Sequence, residues 1–163
     1  MPVIALILAA IFVVADQFIK TMVVNQLQPV GSVTIIPGLL NLTFLKNSGA
    51  AFGILQNQIW LFATITILLS AAIIFVLFAY QEHSFFSYAA AILIIAGGIG
   101  NLIDRLYYGY VVDYIHVLFF PPIFNFADCC VTVGCVCFII HILFFAERTN
   151  KGRHVEHHYH ERR

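Results

Sequence analysis

The chain has 163 residues, of which 61% are hydrophobic and only 10% are charged. Soluble domains carry about a quarter of their residues as charges, so this composition excludes an ordinary soluble domain. The formal net charge is zero with His neutral, which leaves no global electrostatic basis for binding nucleic acid.

A helix that crosses a bilayer needs about 20 mostly apolar residues. The first such stretch, residues 3–24, contains Asp16 and Lys20. A secretory signal would place basic residues before the apolar run and a cleavage region after it. No basic residue precedes this run and two charges lie late in it, so it reads as a retained span. A charge at membrane depth costs about 2.5–3.5 kcal/mol on insertion scales, and pairing is the usual relief. Asp16 and Lys20 stand four apart on one helix face and can pair, which gives them a packing role.

Next comes "SVTIIPGLLNLTFLK", which reads as strand, Pro37-Gly38 turn, strand. Leu40, Leu42 and Phe44 alternate with Asn41 and Thr43, the period of a half-buried strand. "NSGAAFG" at residues 47–53 is rich in small residues, which suits either a plain turn or close approach by another chain. The second span, residues 59–80, opens on Trp60 in the interfacial position that aromatic rings favour and carries no charge.

The third span, residues 85–106, ends in "GGIGNLIDR". Asn101, Asp104 and Arg105 fall at i, i+3 and i+4, so they share a face, and Gly97, Gly98 and Gly100 one turn earlier admit a neighbouring helix. Two readings stay open: a packed helix end with an internal ion pair, or a supporting layer that orients other groups. The segment "YYGYVVDYIHVLFFPPIFN" that follows is aromatic and apolar, so it should lie in the membrane interface. His116 within it reads as an interfacial side chain, and Ser48 has no evident paired base, which argues against a serine enzyme.

The fourth span covers residues 127–146. Asn125 can cap it with Asp128 at N3, an approximate capping box, and a carboxylate there suits the helix dipole. Cys129, Cys130, Cys135 and Cys137 form neither a CxxC pair nor a zinc spacing and read as small packing residues. The tail, residues 147–163, is basic and His-rich, has no HExxH arrangement, and should be disordered. Its Arg148, Lys151, Arg153, Arg162 and Arg163 place both termini in the cytoplasm by the positive-inside rule. The segments after spans one and three then face outward.

Asp113 has no local role of this kind, because "VVDYI" shows no helix start and its neighbours are apolar. Asp113 and Asp128 bound one outward segment, so the chain between them can fold back and bring them together. Two neighbouring carboxylates cannot both ionise readily and hold one proton between them. The ionised member can then take a proton from water while the other hydrogen-bonds a peptide carbonyl, as in aspartic proteases. This chemistry needs no metal, cofactor or covalent intermediate. The helix N-terminus favours ionised Asp128, which leaves the shared proton on Asp113.

"DQFIK", "NSGAAFG", "GGIGNLIDR", "VVDY" and "FNFAD", in this order through four spans, give the chain its resemblance to the lipoprotein signal peptidases, the type II signal peptidases of bacteria. The resemblance covers nearly the whole chain. It implies that Asp113 and Asp128 form the catalytic dyad. It further implies supporting or substrate-binding roles for Asn47, Gly49, Asn101, Asp104, Arg105 and Asn125, and a structural role for Asp16 and Lys20. Tyr114 stands where Phe is common in the family, a change expected to matter little.

The implied substrate is a diacylglyceryl-modified prolipoprotein, held by membrane lipid and cut just before its lipidated Cys. The expected fold is a membrane all-α, four-helix bundle with a small extracytoplasmic β-hairpin or sheet element between helices 1 and 2. An interfacial aromatic segment joins helices 3 and 4. Residues 1–146 form one peptidase domain, monomeric and in the bacterial inner membrane. A small transporter or proton-conducting protein is the alternative, but it should carry its polar groups at the bilayer midplane.

Overall fold

The computed structural model describes residues 1–49, 58–80 and 83–145. Part of the "NSGAAFG" stretch (50–53), Gln81 and Glu82 of the link between spans two and three, Ala146 and the tail lie outside the described residues. Among the described residues, four helices are long and apolar enough to cross a membrane. They are α1 (Pro2–Met22), α2 (Ile59–Ala79), α3 (Phe85–Tyr108) and α4 (Phe126–Phe144). Each boundary falls within two residues of the sequence expectation. A π-helical turn, Val23–Leu27, extends α1 past its expected end, so Asn25 is helical.

The central helix is α3, which packs against α1, α2 and α4 and is the most buried of the four. Its three expected glycines each serve a different neighbour. A methyl group on Gly97 would strike the Ala127 carbonyl of α4, one on Gly98 would press Thr66 of α2, and one on Gly100 would stand 2.6 Å from the Asp16 carboxylate of α1. The helix ends at Gly109, whose φ of 79° closes the last turn.

At the end of the bundle where α1 stops and α4 starts lies a four-stranded antiparallel sheet in the order β1-β2-β3-β4. The hairpin expected from the sequence is β1 (Ser32–Ile36) and β2 (Leu40–Asn47), joined through Pro37-Gly38. The aromatic segment between α3 and α4 supplies the other two strands, β3 (Val111–Val117) and β4 (Ile123–Phe124). Nothing in its apolar run alternates with period 2, so only an interfacial segment is legible there. One face of the sheet closes a core in which Val112 and Tyr114 meet Val23 and Leu27 of the π turn, with Leu42 and Phe44 packed against them. Strand β3 pairs Asp113 with Leu45 and Val111 with Asn47, which sets Asp113 beside the end of β2.

Overpacking a tight helix contact costs about 1–3 kcal/mol. Gly97→Ala should therefore destabilise the protein by about that amount, because its methyl group meets backbone. Gly98→Ala, which meets only the tip of Thr66, should stay under about 1.5 kcal/mol. Thermal unfolding of both variants in one detergent checks the order.

Candidate active site

The first turn of a helix leaves its N–H groups without intrahelical partners. In α4 three side chains take them. The Asn125 side chain accepts from Asp128 N (3.0 Å), the Asp16 carboxylate from Ala127 N (3.1 Å), and the Tyr114 hydroxyl from Phe126 N (3.2 Å). The Asp128 carboxylate returns the bond to Asn125 N at 3.0 Å, so the capping box is complete. Asp16 and Tyr114 thereby fix the start of α4 to α1 and to β3.

Asn125 is fully buried and touches both acidic residues. Its Nδ2 donates to Asp113 Oδ1 at 2.6 Å and to Asn101 Oδ1 at 3.1 Å. Asn101 in turn donates to Asp128 Oδ1 at 2.7 Å. The second oxygen of Asp113 accepts from Asn47 Nδ2 at 2.8 Å, and Asn47 Oδ1 accepts from Gly49 N at 3.0 Å. The relief that Asp113 required is therefore two amide donors. Neither is a cation.

Asp113 and Asp128 open onto one cleft of about 1020 Å³, which Asn47, Gly49, Asn101 and Arg105 also line. Its rim is largely apolar and runs from the end of β2 across residues 120–124 to the first turns of α4. Arg105 donates to the carbonyls of Asn101 (3.1 Å) and Gly49 (3.3 Å), and its guanidinium lies over the Phe62 ring. Asn125 and Asp104 are buried beneath the cleft and do not line it.

Asp104 turns away from Arg105, so an ion pair between these two, one of the open readings, is not what the structure has. It pairs with Lys20 at 2.9 Å and accepts from Val112 N at 3.0 Å and Gln17 Nε2 at 3.0 Å. The Asp16–Lys20 pair also forms at 2.9 Å. The polar face of α3 is thus split: Asp104 faces α1, whereas Asn101 and Arg105 face the cleft. Sequence reasoning missed Gln17, which binds Asp16, Asp104 and the Gly100 carbonyl. Its place between two charges in "DQFIK" was the available signal. The Tyr114 hydroxyl matters more than its place in the sequence suggests, since a Phe there would leave Phe126 N without its hydroxyl acceptor. The four cysteines are free thiols, and Cys129 lines the cleft beside Asp128.

Fold and cleft together define a small polytopic membrane protein with an acidic, amide-braced cleft at one end of its bundle. The family described as Signal peptidase (SPase) II matches residues 8–144, a span that runs from within α1 to the end of α4. The chain is 42% identical over 132 residues to the lipoprotein signal peptidase of Caldanaerobacter subterraneus subsp. tengcongensis, covering 81% of this chain and 90% of that one. It is 45% identical over 130 residues to the lipoprotein signal peptidase of Streptococcus pneumoniae, covering 78% and 84%. A solved bacterial membrane enzyme, determined by the in meso method at 2.3 Å, is similar with a TM-score of 0.77 and 36% identity over 85% of this chain and 87% of that one. The chain belongs to the signal peptidase II family.

Burial, reinforced by the charge of Asp128, pushes the Asp113 pKa from its ordinary 3.8 up to about 6 against the opposing hydrogen bonds of Asn47 and Asn125. Between these values the folded protein holds a proton that the unfolded chain releases. The stabilisation is complete below about pH 4 and is lost as pH rises through about 6, a swing on the order of 3 kcal/mol. The melting temperature of wild type relative to Asp113→Asn should fall across that window and level off above it. A flat difference between pH 4 and 7 would contradict the assignment.

Proposed function

We propose that this signal peptidase is an aspartic endopeptidase that removes the signal peptide of diacylglyceryl-modified prolipoproteins just before the lipidated Cys. One observation carries the reading: Asp113 and Asp128 open onto one cleft and are tied to each other through Asn125. The names of the relatives support the substrate class.

Asp128, ionised at the helix N-terminus, takes a proton from a water between the two carboxylates. Asp113 carries the shared proton and gives a hydrogen bond to the scissile carbonyl, on which negative charge develops as the water attacks. Collapse of the tetrahedral intermediate returns a proton from Asp128 to the departing amine. The two amides on Asp113 keep its oxygens aimed, and Asn101 does the same for Asp128. Arg105 and the Asn47–Gly49 turn edge the cleft, so they hold the peptide backbone. The acyl chains anchor the substrate in the bilayer. The reacting bond thereby meets the cleft at high effective concentration, and modest peptide affinity suffices.

In this reading the cleft faces outward from the bacterial inner membrane and both termini are cytoplasmic. A single copy of residues 1–146 suffices, because both carboxylates and the cleft belong to one chain. The transporter alternative gains nothing from the geometry: apart from Ser70, the buried polar residues among those described gather at the sheet end of the bundle.

Purified in detergent with a lipid-modified prolipoprotein, Asp113→Asn and Asp128→Asn should each remain folded and lose cleavage by about 10²–10⁴-fold or more. Full activity in either variant removes that residue from the dyad. A chain truncated after residue 146 should cleave as the full chain does, and a tenfold loss would bring the tail into the catalytic unit.

A further inference from the structure

We infer that Lys20 is a positioning residue for the two carboxylates, acting through Asn101, Asp16 and Asp104 without reaching the cleft. The inference rests on the dyad reading above. The Lys20 ammonium has three protons and three partners, each at 2.9 Å: Asp16 Oδ2, Asp104 Oδ2 and Asn101 Oδ1. Its side chain is almost entirely buried, so water takes little part.

Each partner then passes the constraint to one side of the dyad. Asp16 holds the amide of Ala127, the residue before Asp128. Asp104 holds the amide of Val112, the residue before Asp113. Asn101 reaches Asp128 itself through its Nδ2 at 2.7 Å. One cation therefore stands a single side chain away from the backbone that precedes both acids.

The Asn101 link gives the arrangement its direction. A side-chain amide presents an oxygen on one side and two N–H donors on the other. Lys20 and Asn125 both aim donors at the Asn101 oxygen, which forces the NH₂ group toward Asp128. Without the ammonium, one of the two donors that hold this orientation is gone. A flipped amide would set its oxygen against the Asp128 carboxylate, and the dyad would lose its alignment while the cleft kept its shape.

A merely structural lysine would only neutralise Asp16 and Asp104, and the two roles separate experimentally. The full chain is assayed in detergent with a diacylglyceryl-modified prolipoprotein peptide, for kcat, KM and pH profile, with thermal unfolding as the fold check. Lys20→Met should lower kcat about 10²-fold, the loss that follows a misplacement of about 1 Å, and leave KM within about threefold. Asp113 and Asp128 are faced by Arg105 of α3, Cys129 of α4 and, across the cleft, Lys46 of β2, with Lys20 of α1 behind them. Loss of the Lys20 charge should move the Asp113 limb of the profile to higher pH. Lys20→Met combined with Asn101→Ala should lose less than the product of the two single losses, because both break the Asn101 linkage.

Lys20→Met/Asp104→Asn removes one charge of each sign and so keeps the net charge of the cluster, which guards against a single variant that does not fold. It should remain slow. Wild-type kcat and pH profile in that variant, or in folded Lys20→Met, would overturn the inference, as would multiplicative losses with Asn101→Ala. Asp113→Asn is run alongside. If it cleaves, the dyad reading itself fails; if it is inactive while Lys20→Met is normal, only the role given to Lys20 fails.

Discussion

Three N–H groups at the start of α4 have to be satisfied where little water reaches, since an unpaired buried amide costs several kcal/mol in an apolar medium. The chain meets this demand from three directions: Asp16 of α1, Tyr114 of β3 and the N-cap Asn125. Because the acceptors come from separate elements, the first turn of α4 cannot shift without breaking a bond to the bundle, the sheet or its own cap. Asp128 sits in that turn and Asp113 sits one residue before Tyr114. The relative placement of the two acids thus follows from backbone hydrogen bonding, before any requirement of chemistry is considered.

The charges obey a second constraint. Asp16, Lys20 and Asp104 are buried together, and the removal of either partner of such a group leaves an uncompensated charge that costs about 3–5 kcal/mol. The cluster sits where α1 and α3 meet the sheet, and the cleft opens directly above it. Asp113 is left with amide donors in place of a cation, and this is why burial prevails and its acid form is favoured. A lysine in contact with Asp113 would have removed that property. The chain keeps Lys20 one layer further in, where it bonds to Asn101.

Much of this was legible in the residues. The spans followed from apolar length, the hairpin from Pro37-Gly38 between alternating residues, and the capping box from the spacing of Asn125 and Asp128. The acids stood out because Asp113 had no local explanation. Strand β3 did not, since Val111, Val112, Tyr114 and Ile115 are apolar on both faces: Val112 and Tyr114 sit in the core against the π turn, and Val111 lines the cleft. Side-chain periodicity vanishes when both faces are covered. The division of the α3 polar face was equally hidden, because i, i+3, i+4 spacing spreads residues over about 100° of the helix and cannot tell which of two neighbours each will face. The hydroxyl of Tyr114 has meaning only beside Phe126 N, a contact made by folding.

The central claim is that one reacting centre stands between two carboxylates. The most direct measurement is an experimental structure with a peptide analogue whose scissile bond is replaced by a secondary alcohol, a stand-in for the tetrahedral intermediate. The alcohol oxygen should lie within about 3.2 Å of a carboxylate oxygen from both Asp113 and Asp128. An inhibitor that occupies the cleft with its alcohol bonded to only one of them, the other turned away or out of reach, would contradict the account.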